Sequence, residues 1–200
     1  MMIKLLIAML AICVWVNGFA QGTTSAAKGT VQSAPAADVM PLAGGIDNKA
    51  KGRFSDAEFA EKAAMAGLAE IRLSGLALDK SVEKTVREFA NIMIKDHSAA
   101  NQQLRAIAIA KGLSVPEAID RPHTEILNKL AHLSGSDFDE AYVNVMRQDH
   151  DSAIALFENA AGDPALSKEL RDFAISALET LRNHQLQAHN LPIGAIKASR

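Results

Sequence analysis

The chain has 200 residues, of which 48% are hydrophobic and only 4% aromatic, and its formal net charge is −2. This length accommodates one domain with a substantial core, and the composition favours alanine- and leucine-rich helices over a β-sandwich. Acidic and basic side chains are scattered without a basic patch, so nucleic acid is excluded as an expected partner.

Residues 1–20 have the features of a secretory signal peptide. Lys4 gives a positive start, residues 5–16 form an apolar run, and small residues precede Gln21. We therefore expect cleavage after Ala20. No later run is apolar and long enough to span a membrane. The sequence predicts a periplasmic or secreted protein without a transmembrane segment after cleavage, and association with the outer membrane stays open.

The part of the chain between the signal peptide and the first helix is expected to be a tether. Residues 21–53 are rich in Ala, Gly, Ser and Thr and have no apolar periodicity, which is typical of flexible segments. The only cysteine, Cys13, leaves with the signal peptide. The exported chain therefore forms no disulfide, and any metal ion must be bound by nitrogen or oxygen ligands.

The first two predicted helices form a hairpin. Ser55 and Glu58 match a capping box, and the first helix is expected to run from there to about Leu78. Ser81 is expected to cap the second helix, which continues to Lys111 and stops at the following glycine. So short a connection requires the two helices to be antiparallel.

A long connection follows, formed by residues 113–135. Pro116 and Pro122 interrupt the helical pattern there. The remaining space accommodates only a short helix, at about residues 124–133.

The last two long helices form a second hairpin. The third opens at Ser136 and ends at Gly162. Asp163 suits an N-cap and Pro164 suits the first helical position, so the fourth helix is expected to start there and to run to Asn190.

The order of short, long and short connections predicts the fold. It is the order found in a ferritin-like four-helix bundle with one long crossover between its second and third helices. The sequence therefore predicts an all-α domain of this kind for residues 54–191, followed by a tail of residues 192–200. We expect a monomer or a homodimer.

The second and third long helices contain the same motif. Residues 89–104 align without a gap with residues 142–157, and both copies keep an aromatic residue, Asn, Met, an Asp-His pair and Ala. Counted in helical steps, His97 and His150 each lie in the middle of an apolar stripe. Each histidine is therefore expected to point into the space between the helices.

Four segments together resemble a known family: residues 67–71, 89–97, 138–150 and 173–184. They are similar to the bacterial exported proteins grouped as domain-of-unknown-function family 4142, often labelled outer-membrane proteins. The resemblance covers roughly residues 54–191, and its doubled Asp-His signature is fairly specific. It implies a ferritin-like helical bundle in the cell envelope and no established reaction.

A candidate metal site follows from the single ionisable residue at the centre of each long stripe: Glu70, His97, His150 and His184. If these side chains meet in the middle of the bundle, three imidazoles and a carboxylate suit one Zn²⁺, Cu²⁺ or Fe²⁺ ion. Asp96 and Asp149 lie about 100° of helix rotation away from the stripes. They are expected to act as outer acceptors that orient histidine rings on neighbouring helices.

Three other interpretations of these residues stay open. The helices can hold a small ligand, or an unrecognised catalytic pocket, in place of a metal ion. The glutamate, histidines and aspartates can form a hydrogen-bonded core layer in a structural or stress-related interaction protein. Alternatively, the protein is a degenerate ferritin-type oxidoreductase, although the usual di-iron site needs Glu where this chain has Ile94, Arg147 and Leu181. No catalytic residue and no organic cofactor are indicated. The remaining histidines, His123, His132 and His189, are expected at the surface.

Overall fold

The computed structural model describes residues 54–192, which form five α-helices and no strand. The helices are α1 (Asp56–Lys80), α2 (Lys84–Ala110), α3 (Arg121–Ala131), α4 (Gly135–Gly162) and α5 (Lys168–Asn190). The prediction of an all-helical fold is confirmed. The predicted signal peptide (1–20), the predicted tether (21–53) and the tail after Pro192 lie outside the described residues. None of these five helices combines the length and the apolarity that crossing a membrane requires.

The ends of α1 are fixed by local hydrogen bonds. At its start, the Glu58 amide donates to the Ser55 hydroxyl (3.2 Å) and the Ser55 amide donates to the Glu58 carboxylate (2.8 Å), which confirms the capping box. At its end, the Ser81 amide donates to the Ala77 carbonyl, so Ser81 caps α1. The prediction that Ser81 caps α2 is wrong, because Glu83 occupies that position without a side-chain cap.

The start of α5 also differs from the prediction. The helix begins at Lys168 with Ser167 as its N-cap, later than the predicted start at Asp163. The Asp163 carboxylate accepts instead from the amides of Ala165 (2.9 Å) and Phe54 (3.1 Å). This carboxylate stabilises the turn after α4 and links Phe54 to the C-terminal end of α4, so it is not available to cap a helix.

The four long helices pack side by side in a closed cycle. Helix α1 packs along α2 and α4 along α5, while α1 also contacts α4 and α2 also contacts α5. Helices α1 and α5 begin in one apolar cluster and end in the other, whereas α2 and α4 run the opposite way. Neighbours in the cycle are therefore antiparallel. The connection that contains α3 returns along the length of the helices, and α3 itself packs against α1 and α4.

Two apolar clusters fill the space between the long helices. One contains Phe89, Phe138 and Tyr142, and the Tyr142 hydroxyl shares a buried hydrogen bond of 2.8 Å with Ser74. The other is built around three aromatic rings that contact one another, those of Phe59, Phe157 and Phe173. Between the two clusters lies a layer of buried polar side chains.

Helix α4 also holds the end of α5 through one side chain. Arg147 donates from Nε to the Ala188 carbonyl (2.9 Å) and from Nη2 to the His189 carbonyl (3.2 Å). These carbonyls are in the last turn of α5, where no later helical amide donates to them, so a guanidinium is a suitable donor.

Candidate metal centre

Three buried histidines meet in the polar layer, one each from α2, α4 and α5. The ring centroid of His97 lies 5.7 Å from that of His150 and 5.3 Å from that of His184. The centroids of His150 and His184 are 5.4 Å apart. One ligand nitrogen from each ring lies within 4.8 Å of the other two. The two copies of the Asp-His motif therefore come together across the centre of the molecule, and the last helix supplies the third ring.

His97 is oriented by Glu70 of α1. Its Nδ1 lies 3.0 Å from Glu70 Oε2, and both side chains are buried. A carboxylate accepts, so Nδ1 donates, and Nε2 is left facing the other rings. The second carboxylate oxygen of Glu70 lies 3.5 Å from His150 Nδ1.

His150 is oriented by its own helix. Its Nδ1 donates to the Met146 carbonyl at 2.8 Å, one turn earlier in α4. Because a carbonyl only accepts, the hydrogen must be on Nδ1, and in the neutral ring Nε2 then carries a free lone pair. The His150 side chain has no exposed surface.

His184 is oriented by Asp96 of α2. Its Nε2 donates to Asp96 Oδ2 at 3.0 Å, which leaves Nδ1 with the free lone pair. Asp96 thus has the contact expected of an outer acceptor on a neighbouring helix. Asp149 is also buried, with 3% of its surface exposed. Its role as an outer acceptor stays a prediction.

The remaining ring nitrogens have no hydrogen-bond partner within the described part of the chain. These atoms are His97 Nε2, His150 Nε2 and His184 Nδ1, and all are buried. A buried polar atom without a partner typically costs about 1–3 kcal/mol. Three clustered histidines, each with one nitrogen bonded to an acceptor and the other unpartnered, form the donor set expected of a transition-metal site. The residues present therefore fit a metal ion.

Glu70, which the sequence predicts as a fourth ligand, contacts two of the histidine rings. Its carboxylate contacts the Nδ1 atoms of His97 and His150, on the side of each ring away from the free nitrogen. Within the described residues, the group whose ligand atoms converge contains the three histidines alone. The role of Glu70 as a fourth ligand stays a prediction. Its Oε1 is buried without a hydrogen-bond partner in the described chain and lies 3.5 Å from His150 Nδ1.

Burial and charge act against each other at these groups. Burial raises the pKa of Glu70, but the charges of His97 and His150 outweigh it and lower the pKa to about 2. At His184, burial outweighs the hydrogen bond to Asp96 and lowers the pKa to about 4. Burial also lowers the pKa of His150, whereas at His97 the Glu70 carboxylate outweighs burial and raises the pKa. Two rings thus favour the neutral form that binds metal.

Some features of this region were not predicted. A cleft of about 310 Å³, lined mainly by α2 and α5 and also by α1 and α4, reaches two of the three histidines, His97 and His184. Asn101 lines it, and its position one turn after His97 on the same helix face was a signal available in the sequence. His123, predicted at the surface, is buried with 8% of its surface exposed, because its ring bonds to the Asp120 carboxylate at the start of α3.

The fold and the buried histidine cluster define a helical protein with a candidate metal centre. Residues 42–191 match the model of a family described as a domain of unknown function, DUF4142. The chain therefore belongs to that family. No curated protein sequence matches the chain.

Two solved structures are similar to this one. A DUF305 protein from Streptomyces coelicolor has a TM-score of 0.57 and 16% sequence identity, covering 68% of this chain and 90% of its own. A DUF305 fragment from Deinococcus radiodurans has a TM-score of 0.60 and 17% identity, covering 68% and 93% respectively. At such identities the similarity concerns the fold alone.

Proposed function

We propose that this protein binds one divalent transition-metal ion through His97, His150 and His184. The observation that supports it is the convergence of three buried ring nitrogens, each without another partner in the described chain. Imidazole nitrogens suit Zn²⁺, Cu²⁺ and Fe²⁺. Such an ion would supply Lewis acidity and a position for a further ligand. Glu70 and Asp96 hold the rings of His97 and His184 in the tautomers that binding requires.

A purely hydrogen-bonded polar layer is less well supported. In such a layer the histidines would donate to one another or to the carboxylates until every nitrogen had a partner. Instead, each ring uses one nitrogen on a backbone or carboxylate acceptor, and the other nitrogen of each ring is buried without a partner in the described chain. In neutral rings these nitrogens are lone pairs that cannot satisfy one another, whereas one cation accepts all three, and its binding would release the proton that the raised pKa of His97 favours.

We also propose that the fold is a ferritin-like four-helix bundle in which α3 belongs to the crossover. The closed cycle of antiparallel neighbours and the long connection between α2 and α4 support this assignment. A di-iron centre of the usual kind does not fit, because Ile94, Arg147 and Leu181 stand where the carboxylates of that centre would be. The single-ion site sets this protein apart from a ferritin-type oxidoreductase.

The proposed location is the cell envelope or the exterior. The signal-peptide features of residues 1–20 support export, with cleavage after Ala20. The Streptomyces coelicolor neighbour is described as a candidate secreted protein. An exported protein would meet its metal ion outside the cytoplasm.

Metal content and stability together test the proposal. Protein purified without a histidine tag is expected to retain close to one ion per chain, and a chelator should remove it. In metal-free protein, added ion should raise the free energy of unfolding by about 3–4 kcal/mol at a few hundred times Kd, following RT ln(1 + [L]/Kd). The gain should weaken as the pH falls, first through His97, whose pKa is raised above 6.5, and last through His184, whose pKa is about 4, because a protonated imidazole cannot coordinate.

The matched variants are His150→Leu and His189→Leu. The first removes a ligand and should lose most of the metal-dependent gain, whereas the second alters an exposed histidine of α5 and should keep it. If metal-free wild-type protein melts at the same temperature with and without Zn²⁺, Cu²⁺ or Fe²⁺ at about pH 7.5, the site does not exist. The hydrogen-bonded layer would then be the better interpretation.

A further inference from the structure

The cleft between α2 and α5 connects the surface with the candidate metal centre. Its volume of about 310 Å³ is at the small end of the range of about 300–1,000 Å³ typical of ligand pockets. Glu70, Asp96, His97 and His184 all line it. His97 and His184 are more than nine-tenths buried, and each contributes one of the unpartnered nitrogens. The cleft therefore borders two of the rings that hold the unpartnered nitrogens, although the nitrogens themselves are buried.

The chemistry of the lining selects against anions. Two carboxylates, those of Glu70 and Asp96, lie among the lining residues, and no lysine or arginine does. A divalent ion at the three histidines would bring two positive charges, and these two carboxylates would balance them, so an anion would meet no net positive charge at the site. The rest of the wall is mostly apolar, formed by alanines and by Phe157, Phe173 and Leu181. A small uncharged molecule suits this surface best.

One amide in the cleft is held in place by the neighbouring helix. Asn101 Nδ2 donates to the Ala64 carbonyl of α1 at 3.3 Å. The amide can lie this close because Gly67 has no side chain, and a Cβ there would be 2.5 Å from Asn101 Oδ1. Asn101 lines the cleft one turn after His97 in α2, and the bond to Ala64 uses its amide nitrogen and leaves its carbonyl oxygen as an acceptor for an N–H group.

We propose that this cleft admits a small uncharged nitrogen-donor molecule that also carries an N–H group to the ion bound by the three histidines. The proposal rests on the proposed metal site. Three protein ligands leave a tetrahedral ion with a fourth position, as in catalytic rather than structural zinc sites. The nitrogen donor would take that position, and Asn101 would accept from the N–H group.

Imidazole is a suitable probe, and Co²⁺ a suitable ion because its visible absorption reports its ligands. Imidazole added to the Co²⁺-loaded full chain is expected to change the spectrum at millimolar concentration. Azide, a small anion, should need at least a tenfold higher concentration. Cobalt content after desalting separates binding of imidazole from removal of the ion.

Two leucine variants of α2 provide the matched comparison. Ala100→Leu fills the cleft, whereas Ala106→Leu adds the same group at an exposed position outside it. Both should load cobalt as the wild type does, but Ala100→Leu should weaken imidazole binding at least tenfold and Ala106→Leu should leave it unchanged. If Ala100→Leu does not fold, Ala177→Leu fills the cleft from α5.

The outcomes distinguish the two proposals. Failure of the wild type to bind cobalt overturns the metal site and the cleft proposal with it. Cobalt binding with no spectral response to imidazole, with an equal response in the filled and control variants, or with azide as effective as imidazole overturns the cleft proposal alone.

Discussion

At the scale of single residues, the candidate site depends on which nitrogen of each ring carries the hydrogen. Glu70, Asp96 and the Met146 carbonyl each accept from the outward nitrogen of one histidine. Because these acceptors are parts of the protein, the inward lone pairs are oriented before any ion arrives. Metal affinity should therefore depend on residues that never touch the metal.

Replacing Asp96 by Asn tests this dependence. An amide oxygen can still accept from His184 Nε2, but it lacks the charge that makes the ring a stronger donor to the ion. We expect metal affinity to fall about 10–100-fold. Competition with a chelator of known affinity measures the change. Asp172→Asn is the control, since this carboxylate is exposed on the same helix as His184 and pairs with Lys168; equal affinities in the two variants would contradict the prediction.

The pKa values predict how the metal-free protein responds to acid. His184 has a folded pKa of about 4, below its ordinary value of 6.5, so the unfolded chain binds a proton first as the pH falls. His150 shifts in the same direction, and His97 in the opposite one. Glu70, with a folded pKa of about 2 against 4.5, continues the trend at lower pH.

The free energy of unfolding should therefore decrease as the pH falls from about 6.5 to 4, and again from about 4.5 to 2. Urea denaturation of metal-free protein at a series of pH values measures it. The double variant His150→Leu with His184→Leu should show a smaller decrease in the first interval. A stability that stays constant between pH 7 and 4 in the wild type would contradict the assignment.

At the scale of the helices, α1 contains two glycines in different surroundings. A Cβ at Gly75 would meet no atom within 4 Å, whereas a Cβ at Gly67 would lie 2.5–3.0 Å from the amide of Asn101. Gly75→Ala should stabilise the protein by about 1 kcal/mol, the usual difference in helix propensity. Gly67→Ala should stabilise the protein clearly less than Gly75→Ala does. The new Cβ forces Asn101 away from the Ala64 carbonyl, and the hydrogen bond that is lost contributes about 0.5–1.5 kcal/mol.

Chemical denaturation of the two alanine variants measures this difference directly. Both substitutions are in the same helix, so propensity affects them alike and the difference isolates the contact with Asn101. Equal gains at the two positions would mean that Asn101 is not held against α1 in solution.

Helix ends were harder to predict than helices. The apolar stripes and the glycine stop after Lys111 follow from local spacing, and they placed the helices well. The start of α5 depends instead on Asp163, whose carboxylate accepts from Phe54, 109 residues away in the sequence. No local rule anticipates a partner that only the folded chain brings close.

The site shows the same division between local and long-range information. Periodicity predicted that His97, His150 and His184 face inwards, because a helix face is a property of one segment. The orientation of each ring depends on neighbours from other helices, such as Asp96 for His184. The stripe pattern also predicts Glu70 as a ligand, but its contact with His97 Nδ1 depends on how α1 packs against α2 and follows from neither segment alone.

At the scale of the whole molecule, the start of the folded domain is a prediction that truncation can test. Phe54 donates to Asp163 at the end of α4, and Ser55 caps α1. A chain that begins at Ala50 should keep the stability of the mature protein, whereas one that begins at Ala57 should lose about 1–2 kcal/mol with the cap. Thermal melting followed by circular dichroism compares them.

Limited proteolysis provides a second measurement of the same boundary. Cleavage should concentrate in residues 21–53 and leave a fragment that begins near Phe54 with its helix content intact. A loss of stability in the chain that begins at Ala50 would mean that the residues before it contribute to the fold, and that the predicted tether is part of the domain.

The hydrogen bonds from Arg147 to the end of α5 set the position of α5 along the axis of α4. Arg147 lies one turn before His150, and the carbonyls that it contacts, those of Ala188 and His189, lie one turn after His184. A slip of α5 by one helical turn, about 5.4 Å, would break these contacts and move His184 away from the other two rings. The guanidinium thus opposes sliding of α5 along α4. The spacing of the three imidazoles is set in part by Arg147, a residue outside the histidine cluster.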